Sequence, residues 1–263
     1  MHHSDKWSLH WFTVQVIAFE INSLKIKGLD LDTIRKRIGQ LKTNAFAIQN
    51  LLDSVNATGP QHPRGLGLYV PQSIFDHSCV PNALRSHNGA IFTIRAAQEI
   101  DTDRENVFIS YAVNSMHDTR ETRMKSLRND YFFECTCRLC TDPEAERQLQ
   151  TINKLRQKLA NGPFDVSRMD SVFDMISTIY EKTSALFGEH SGQSLLRLQM
   201  LIDQKGSVFR NTSVRPTPSD IRYWRKFKRE LALIYGINHP YYKALIANYG
   251  HNFNWFKNRW TTI

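Results

Sequence analysis

Four cysteines occur in the 263 residues, and three of them crowd into Cys135-Thr-Cys137-Arg-Leu-Cys140. A C-x-C-x-x-C run brings three thiols within reach of one point, and zinc asks for a tetrahedron of four soft donors, with sulfur at about 2.3 Å. The one cysteine left over, Cys79, lies between Ser78 and Val80-Pro81-Asn82, a rigid turn able to hold a thiolate toward a neighbouring loop. A structural zinc site built from Cys79, Cys135, Cys137 and Cys140 uses every sulfur and pins a downstream flap onto the segment around residue 79. Buried free thiols or a redox pair are the competing readings, and a trio with one partner left over serves either poorly. Histidine is available as a substitute ligand, but none stands in the spacing of a nucleic-acid-reading finger. Nor is this the spaced framework of a disulfide-stapled secreted chain, so a reducing nucleus or cytoplasm fits best.

Around this constraint the pattern divides the chain into three parts. Residues 7–52 read as helices, with apolar residues at three and four spacings through Val14, Ile17, Ala18 and Ile21, and again through Leu31, Ile34, Ile38 and Leu41, broken at Gly28. From Gly59 onward, Pro60, Pro63, Gly65 and Gly67 punctuate an irregular, strand-rich middle, with short strands at Leu68–Val70, Ala90–Ile94 and Asn106–Tyr111. The Asn88-Gly89 pair predicts a tight antiparallel hairpin there. After Cys140 the chain reads as helical to its end, starting with a charged amphipathic helix over Glu144–Leu159 that stops at Asn161-Gly162-Pro163. Two stretches in this part look alike, Ala185-Leu-Phe-Gly-Glu-His190 and Leu233-Ile-Tyr-Gly-Ile-Asn-His-Pro240: an apolar helix end, a glycine suited to a left-handed cap, then a histidine and a new helix. They predict stacked helical hairpins, with an ordinary glycine-capped bundle as the alternative. The expected domains are 1–58, 59–142 and 143–263.

Charge narrows the function less than the cysteines do. A formal net charge of +9 attracts acidic surfaces, nucleic acid among them. The basic runs Arg35-Lys36-Arg37 and Arg222-Tyr-Trp-Arg-Lys-Phe-Lys-Arg229 fall at helical positions, where a solvated face with aromatics turned into a core is the simpler reading. Nucleic acid is therefore not expected as the main partner. The longest apolar stretch near the start, Val14–Phe19, is too short to span a bilayer, so no membrane association is expected.

Three motifs in order carry a resemblance: Phe75-Asp-His-Ser-Cys-Val-Pro-Asn82, Ile109-Ser-Tyr111 and Tyr131-Phe-Phe-Glu-Cys-Thr-Cys-Arg-Leu-Cys140. Together with Gly67-Leu-Tyr69 and Lys42-Thr-Asn-Ala-Phe-Ala-Ile48, they resemble the catalytic half of the SET and MYND domain (SMYD) family of protein-lysine methyltransferases. The resemblance covers residues 30–142. It implies an α+β fold: a strand-rich SET-type core with knot-like threading and a post-SET zinc site, followed by an all-helical, tetratricopeptide-like domain. It implies methyl transfer from S-adenosylmethionine to a lysine of a protein substrate, histone or non-histone, with further protein partners on the helical domain. Carried over by motif position, Asn44, Asp76, His77 and Phe133 would contact the cofactor, Tyr131 and Phe133 would wall the lysine channel, and Tyr111 would be the catalytic tyrosine.

The chain also departs from the family pattern. The family's glycine-rich cofactor loop and MYND finger have no counterpart before residue 30, and Arg64-Gly-Leu-Gly67 matches the later Gly-Leu-Tyr element instead of that loop. Asp76 stands where the family has Asn, exchanging an amide that both donates and accepts for an acceptor-only carboxylate. Three readings follow: a lysine methyltransferase, a non-catalytic SET-like zinc protein that scaffolds partners, or a basic nucleic-acid-associated protein.

Overall fold

A computed structural model of the chain describes residues 16, 19, 30–48, 65–101, 103–111, 118–161, 169–211 and 216–249. The helical expectation for residues 7–29 lies outside these, apart from Val16 and Phe19, both helical and exposed. The chain divides into two compact units, residues 1–47 with 65–74, and residues 48–64 with 75–263.

In the smaller unit, α1 (Leu31–Asn44) starts at Asp30, whose carboxylate accepts the Thr33 N–H at 2.7 Å, and turns Ile34 inward. Arg35, Lys36 and Arg37 lie on its exposed face. The helix stops at Asn44, short of the expected residue 52, and Ala45–Ile48 form β1, paired with β2 (Gly65–Leu68). Ala-Phe-Ala-Ile buries Phe46 alone, and pairing with a second strand outweighs the helical preference of alanine. Strand β2 lies three residues upstream of the expected start at Leu68 and is followed by a 3-10 turn, Gln72–Ile74.

The larger unit begins with β3 (Asp76–His77), which pairs in parallel with β6 (Phe108–Ile109), setting His77 opposite Ile109. Between them, β4 (Ala83–Asn88) and β5 (Ile91–Ala96) form the expected hairpin, in register from Ala83↔Ala96 to Asn88↔Ile91. Its two-residue loop is Gly89-Ala90, one position later than the Asn-Gly pair suggested. Gly89 takes φ +59° at the first central position, where a II′ turn requires glycine. Asn82 ties these pairs together: its side-chain oxygen accepts the Phe108 N–H at 2.7 Å and its amide donates to the Asn106 carbonyl at 2.9 Å.

Helices follow: α2 (Arg120–Tyr131), the short α3 (Arg138–Thr141), α4 (Pro143–Asn161), α5 (Met169–Phe187), α6 (Gly192–Asn211), α7 (Pro218–Tyr235) and α8 (240–249). From α4 to α7 each packs on its neighbour in sequence. One core joins Leu149 and Ile152 of α4 with Ile179, Leu186 and Phe187 of α5 around Cys79, Cys135 and Cys140. A second gathers Leu198, Ile202, Phe227, Leu231, Leu245 and Tyr249. In the basic run on α7, Phe227 is fully buried and Tyr223 and Trp224 pack on that second core, while Arg222, Arg225, Lys228 and Arg229 face solvent. No described helix is long and apolar enough to cross a membrane.

Both predicted glycine stops occur, after α5 at Gly188 (φ +90°) and after α7 at Gly236. Gly236, at φ 86° and ψ 146°, occupies an extended region reserved for glycine, not the left-handed helical cap its sequence suggested. The histidine after each glycine reaches a different partner. His190 Nδ1 meets the buried Glu230 carboxylate at 2.5 Å, and His239 Nε2 donates to the His87 carbonyl at 3.1 Å.

Helix α7 opens on a capping box in which Thr217 and Asp220 exchange bonds, and Lys205 adds a third bond to the same buried carboxylate at 2.5 Å. Burial alone would raise the Asp220 pKa, but the bonds from Lys205 and Thr217 outweigh it and hold the group below the usual carboxylate value. A carboxyl depressed in the folded state stabilises above its unfolded pKa and loses that contribution as pH falls through the folded one. Asp220→Asn is therefore expected to cost roughly 1.5–3 kcal/mol at neutral pH. The deficit should shrink below about pH 4, the region in which an unfolded aspartate protonates, as followed by urea unfolding of both proteins across pH.

Candidate metal centre and the aromatic cluster beside it

Three turns converge to make the centre. Cys79 follows β3, where the Ser78 N–H continues the pairing to the Ile109 carbonyl at 3.0 Å. Cys135 and Cys137 lie on the extended segment after α2, and Cys137 caps α3, which carries Cys140. The Cys140 N–H bonds the Cys137 carbonyl at 2.8 Å, folding the C-x-x-C turn tightly.

The four sulfurs all lie within 4.8 Å of one another. Cys79 Sγ is 3.6 Å from Cys140 Sγ and 4.0 Å from Cys135 Sγ. Four sulfurs about 2.3 Å from a tetrahedral zinc lie about 3.8 Å apart, so the thiols already approximate the tetrahedron that the ion requires. All four cysteines are free, and Cys79, Cys135 and Cys140 are buried.

Such crowding polarises the set. Hydrogen bonds from Cys137, Cys140 and Cys79 draw Cys135 far below the ordinary thiol range, whereas Cys79, which shares its proton with Cys135, Cys137 and Cys140, is pushed up. Cys135 pushes Cys137 up, but Cys140 and Cys79 pull it down further, to about 5. Cys140 is raised by Cys135 and Cys137. Thiols this close cannot all ionise together unless a cation neutralises them. The donor set thus fits a structural zinc ion, with Cys79, Cys135, Cys137 and Cys140 as its holders.

Two residues beyond the sequence-based site support the centre. Arg123 on α2 is 2% exposed, and its guanidinium donates to the carbonyls of Asp118 (2.7 Å) and Leu139 (3.1 Å), to Glu146 (3.1 Å) and toward Cys140 Sγ (3.8 Å). Glu146, on α4, also accepts the Arg120 N–H at 3.0 Å, tying the start of α2 to α4. Arg123 lies one turn before the buried Leu127, and that shared face was its only signal in the sequence. Arg138 is the second: it donates to the Leu186 carbonyl at 2.5 Å and fastens the α3 hook to the end of α5.

On the other side of Cys79 stands an aromatic cluster. His77, 7% exposed, lies 5.3 Å from the Tyr111 ring and 6.0 Å from the Phe133 ring, and Tyr111 lies 4.8 Å from Tyr131. The Tyr111 hydroxyl donates to the Phe75 carbonyl at 2.7 Å. Burial, then the charge of Asp76 and the neighbouring Tyr131, keep the Tyr111 phenol above its usual pKa, so it holds its proton. Phe132, between the two channel candidates, takes the left-handed conformation (φ 63°, ψ 30°) at the end of α2 and is 62% exposed. This strained turn sends Phe132 outward while Tyr131 and Phe133 both reach Tyr111.

Of the sequence-predicted site residues, the larger unit brings together the four cysteines, His77, Tyr111, Tyr131 and Phe133. Asp76 is exposed on β3. Asn44 ends α1 in the smaller unit, its amide donating to the Gln40 carbonyl at 2.8 Å.

The chain as a whole is similar to curated N-lysine methyltransferases. N-lysine methyltransferase SMYD2-A of Danio rerio is 26% identical over 81% of this chain and 44% of its own length. N-lysine methyltransferase SMYD2 of Homo sapiens is 26% identical over 80% of the chain and 43% of its own length, and that of Gallus gallus is 30% identical over 57% and 33%. The chain is similar to the SMYD N-lysine methyltransferases. It spans less than half the length of the SMYD relatives it matches. No family model matches it.

Proposed function

We propose that the chain methylates lysine side chains of a protein substrate, histone or non-histone, using S-adenosylmethionine, with zinc as a structural ion. The observation that carries this is the placement of Tyr111: its hydroxyl is fixed on the Phe75 carbonyl, its ring is framed by Tyr131, Phe133 and His77, and the whole group abuts the cysteine centre. The SMYD relatives, named as N-lysine methyltransferases, support the same reaction.

When bound, the cofactor supplies a sulfonium methyl that is already activated, so the protein's contribution is alignment. In the larger unit, Asp76, His77 and Phe133 would hold it. Because the Tyr111 proton is committed to the Phe75 carbonyl, the hydroxyl's lone pairs are left to accept an N–H from a lysine amine. Tyr111 therefore orients the amine and does not act as a base. Tyr131 and Phe133 exclude water, which disfavours the ammonium form of the entering lysine, and their faces accommodate methylammonium. The parallel β3–β6 pair supports a threaded SET-type core, and the sequential packing of α4 to α7 supports a tetratricopeptide-like helical part with a protein-binding role. Thiol ligation suits the reducing nucleus or cytoplasm.

A second reading rests on Asp76. A carboxylate in place of an amide removes a donor from the cofactor side, which favours a non-catalytic zinc scaffold that binds partners through its helices.

The deciding experiment is transfer of labelled methyl from S-adenosylmethionine to protein lysine, with Tyr111→Phe alongside. Wild-type transfer that falls roughly 10²–10³-fold in kcat in the variant is expected, in line with the loss of one preorganised polar group. No cofactor binding by calorimetry at millimolar concentration would establish the scaffold instead.

A further inference from the structure

The His77 imidazole is engaged inward through both nitrogens. Its Nδ1 lies 3.0 Å from the backbone N of Tyr111, and a backbone amide only donates, so Nδ1 is the acceptor and carries no proton. In the neutral ring the proton is then on Nε2, which lies 3.3 Å from Cys79 Sγ. Ring orientation and tautomer are thus set by one partner on each side, a metal-ligating sulfur and a backbone amide.

The second bond matters because of where the strand pairing ends. The β3–β6 ladder closes at His77↔Ile109, and Tyr111 lies two residues beyond it. Past the ladder, two bonds anchor Tyr111: its amide on His77 Nδ1 and its hydroxyl on the Phe75 carbonyl. His77 itself precedes Cys79 by two residues on the segment that enters the centre.

We infer that His77 is a positioning residue that couples the cysteine centre to Tyr111, its Nε2–H directed at the Cys79 sulfur and its Nδ1 fixing the Tyr111 backbone. The inference rests on the methyl-transfer reading only for its effect on rate. The two bonds themselves are independent of that reading. Because the ring nitrogens face the sulfur and the amide, any contact of His77 with a cofactor falls to its backbone or ring face. Hydrogen-bonding partners of metal ligands commonly account for 10–100-fold in metal affinity or activity.

Three variants of the full, zinc-loaded chain separate the two bonds. His77→Phe keeps a ring and removes both. His77→Gln presents an amide N–H near the Nε2 position, and His77→Asn a carbonyl oxygen near the Nδ1 position. Zinc release to a chromophoric chelator reads the Cys79 bond, hydrogen exchange of the Tyr111 amide reads the other, and kcat against KM reads the consequence. His77→Phe is expected to speed zinc release roughly 10–100-fold and to abolish protection of the Tyr111 amide. His77→Gln should restore slow release but not protection, and His77→Asn protection but not slow release. Where methyl transfer is measured, kcat should follow amide protection, with KM little changed.

A general loosening of the fold would move both readouts together in all three variants, and that result overturns the inference. Unchanged release and exchange in the Gln and Asn variants overturn it equally, including when His77→Phe fails to fold. A wild-type chain without methyl transfer sinks the proposed function and leaves the release and exchange results to judge His77.

Discussion

Removing zinc from the purified protein is expected to melt the larger unit and not merely to loosen a loop. Cys79, Cys135 and Cys140 belong to the same buried cluster as Leu127, Leu139, Leu149, Ile152, Leu186 and Phe187, so an ion held by them would sit inside the core that joins α2 and α3 to α4 and α5. Without a cation, Cys79 and Cys140 keep their protons and the negative charge crowds onto Cys135 and Cys137. Structural zinc in small domains contributes about 10–16 kcal/mol of apparent binding free energy. That matches or exceeds the roughly 5–15 kcal/mol net stability of a whole domain. Elemental analysis should find one zinc per chain, and a strong chelator should erase the cooperative thermal transition. Cys137→Ser, which swaps a soft donor for a hard one at the half-buried corner, should lose the metal and melt lower by about 10 °C or more. A metal-free protein with an unaltered melting curve would sink both the ion and the argument built on it.

Arg123→Met should be the most damaging change outside the cysteines. Its guanidinium is buried and divided among two carbonyls, the Glu146 carboxylate and the edge of Cys140, so no single neighbour can compensate for its loss. Truncating one partner of a buried ion pair typically costs about 3–5 kcal/mol, because the other charge stays buried and unmet. Here the Asp118 and Leu139 carbonyls also lose their donor. Arg123→Lys should recover only part, since an ammonium cannot reproduce the planar fork. The contrast is Arg128, one turn and a half along the same helix, whose pair with Glu134 is more than 60% exposed on both sides. Arg128→Ala should cost less than about 1 kcal/mol. Chemical denaturation of the three variants tests this directly, and an Arg123→Met protein within 1 kcal/mol of wild type would refute the assignment.

The basic run on α7 follows the helical pattern read from the sequence. Its aromatics fill a core and Arg222, Arg225, Lys228 and Arg229 stay wet, as helical spacing implied, because a helix places residues three and four apart on one face, while Lys226 is part-buried against Glu189 and Tyr180. Where the reading failed, the competing force was tertiary. Ala45–Ile48 left the helix for a strand because β2 offered it a partner. Gly236 left the left-handed cap for a more extended conformation, which a glycine adopts without penalty.

Local chemistry in the sequence singled out the four thiols, since only four exist and three are neighbours, and it determined the hairpin and the glycine helix stops, since short-range φ and ψ preferences govern both. Only the tertiary structure decided that an arginine would lie under the metal hook, that Asn82 would clamp β6, and that the imidazole of His77 would turn from solvent toward Cys79 and Tyr111. The Tyr111–His77, Phe108–Asn82 and Arg123–Glu146 bonds join residues 34, 26 and 23 positions apart, beyond the reach of local preferences, and where such a group is buried it must find its partner within the protein because water cannot serve it.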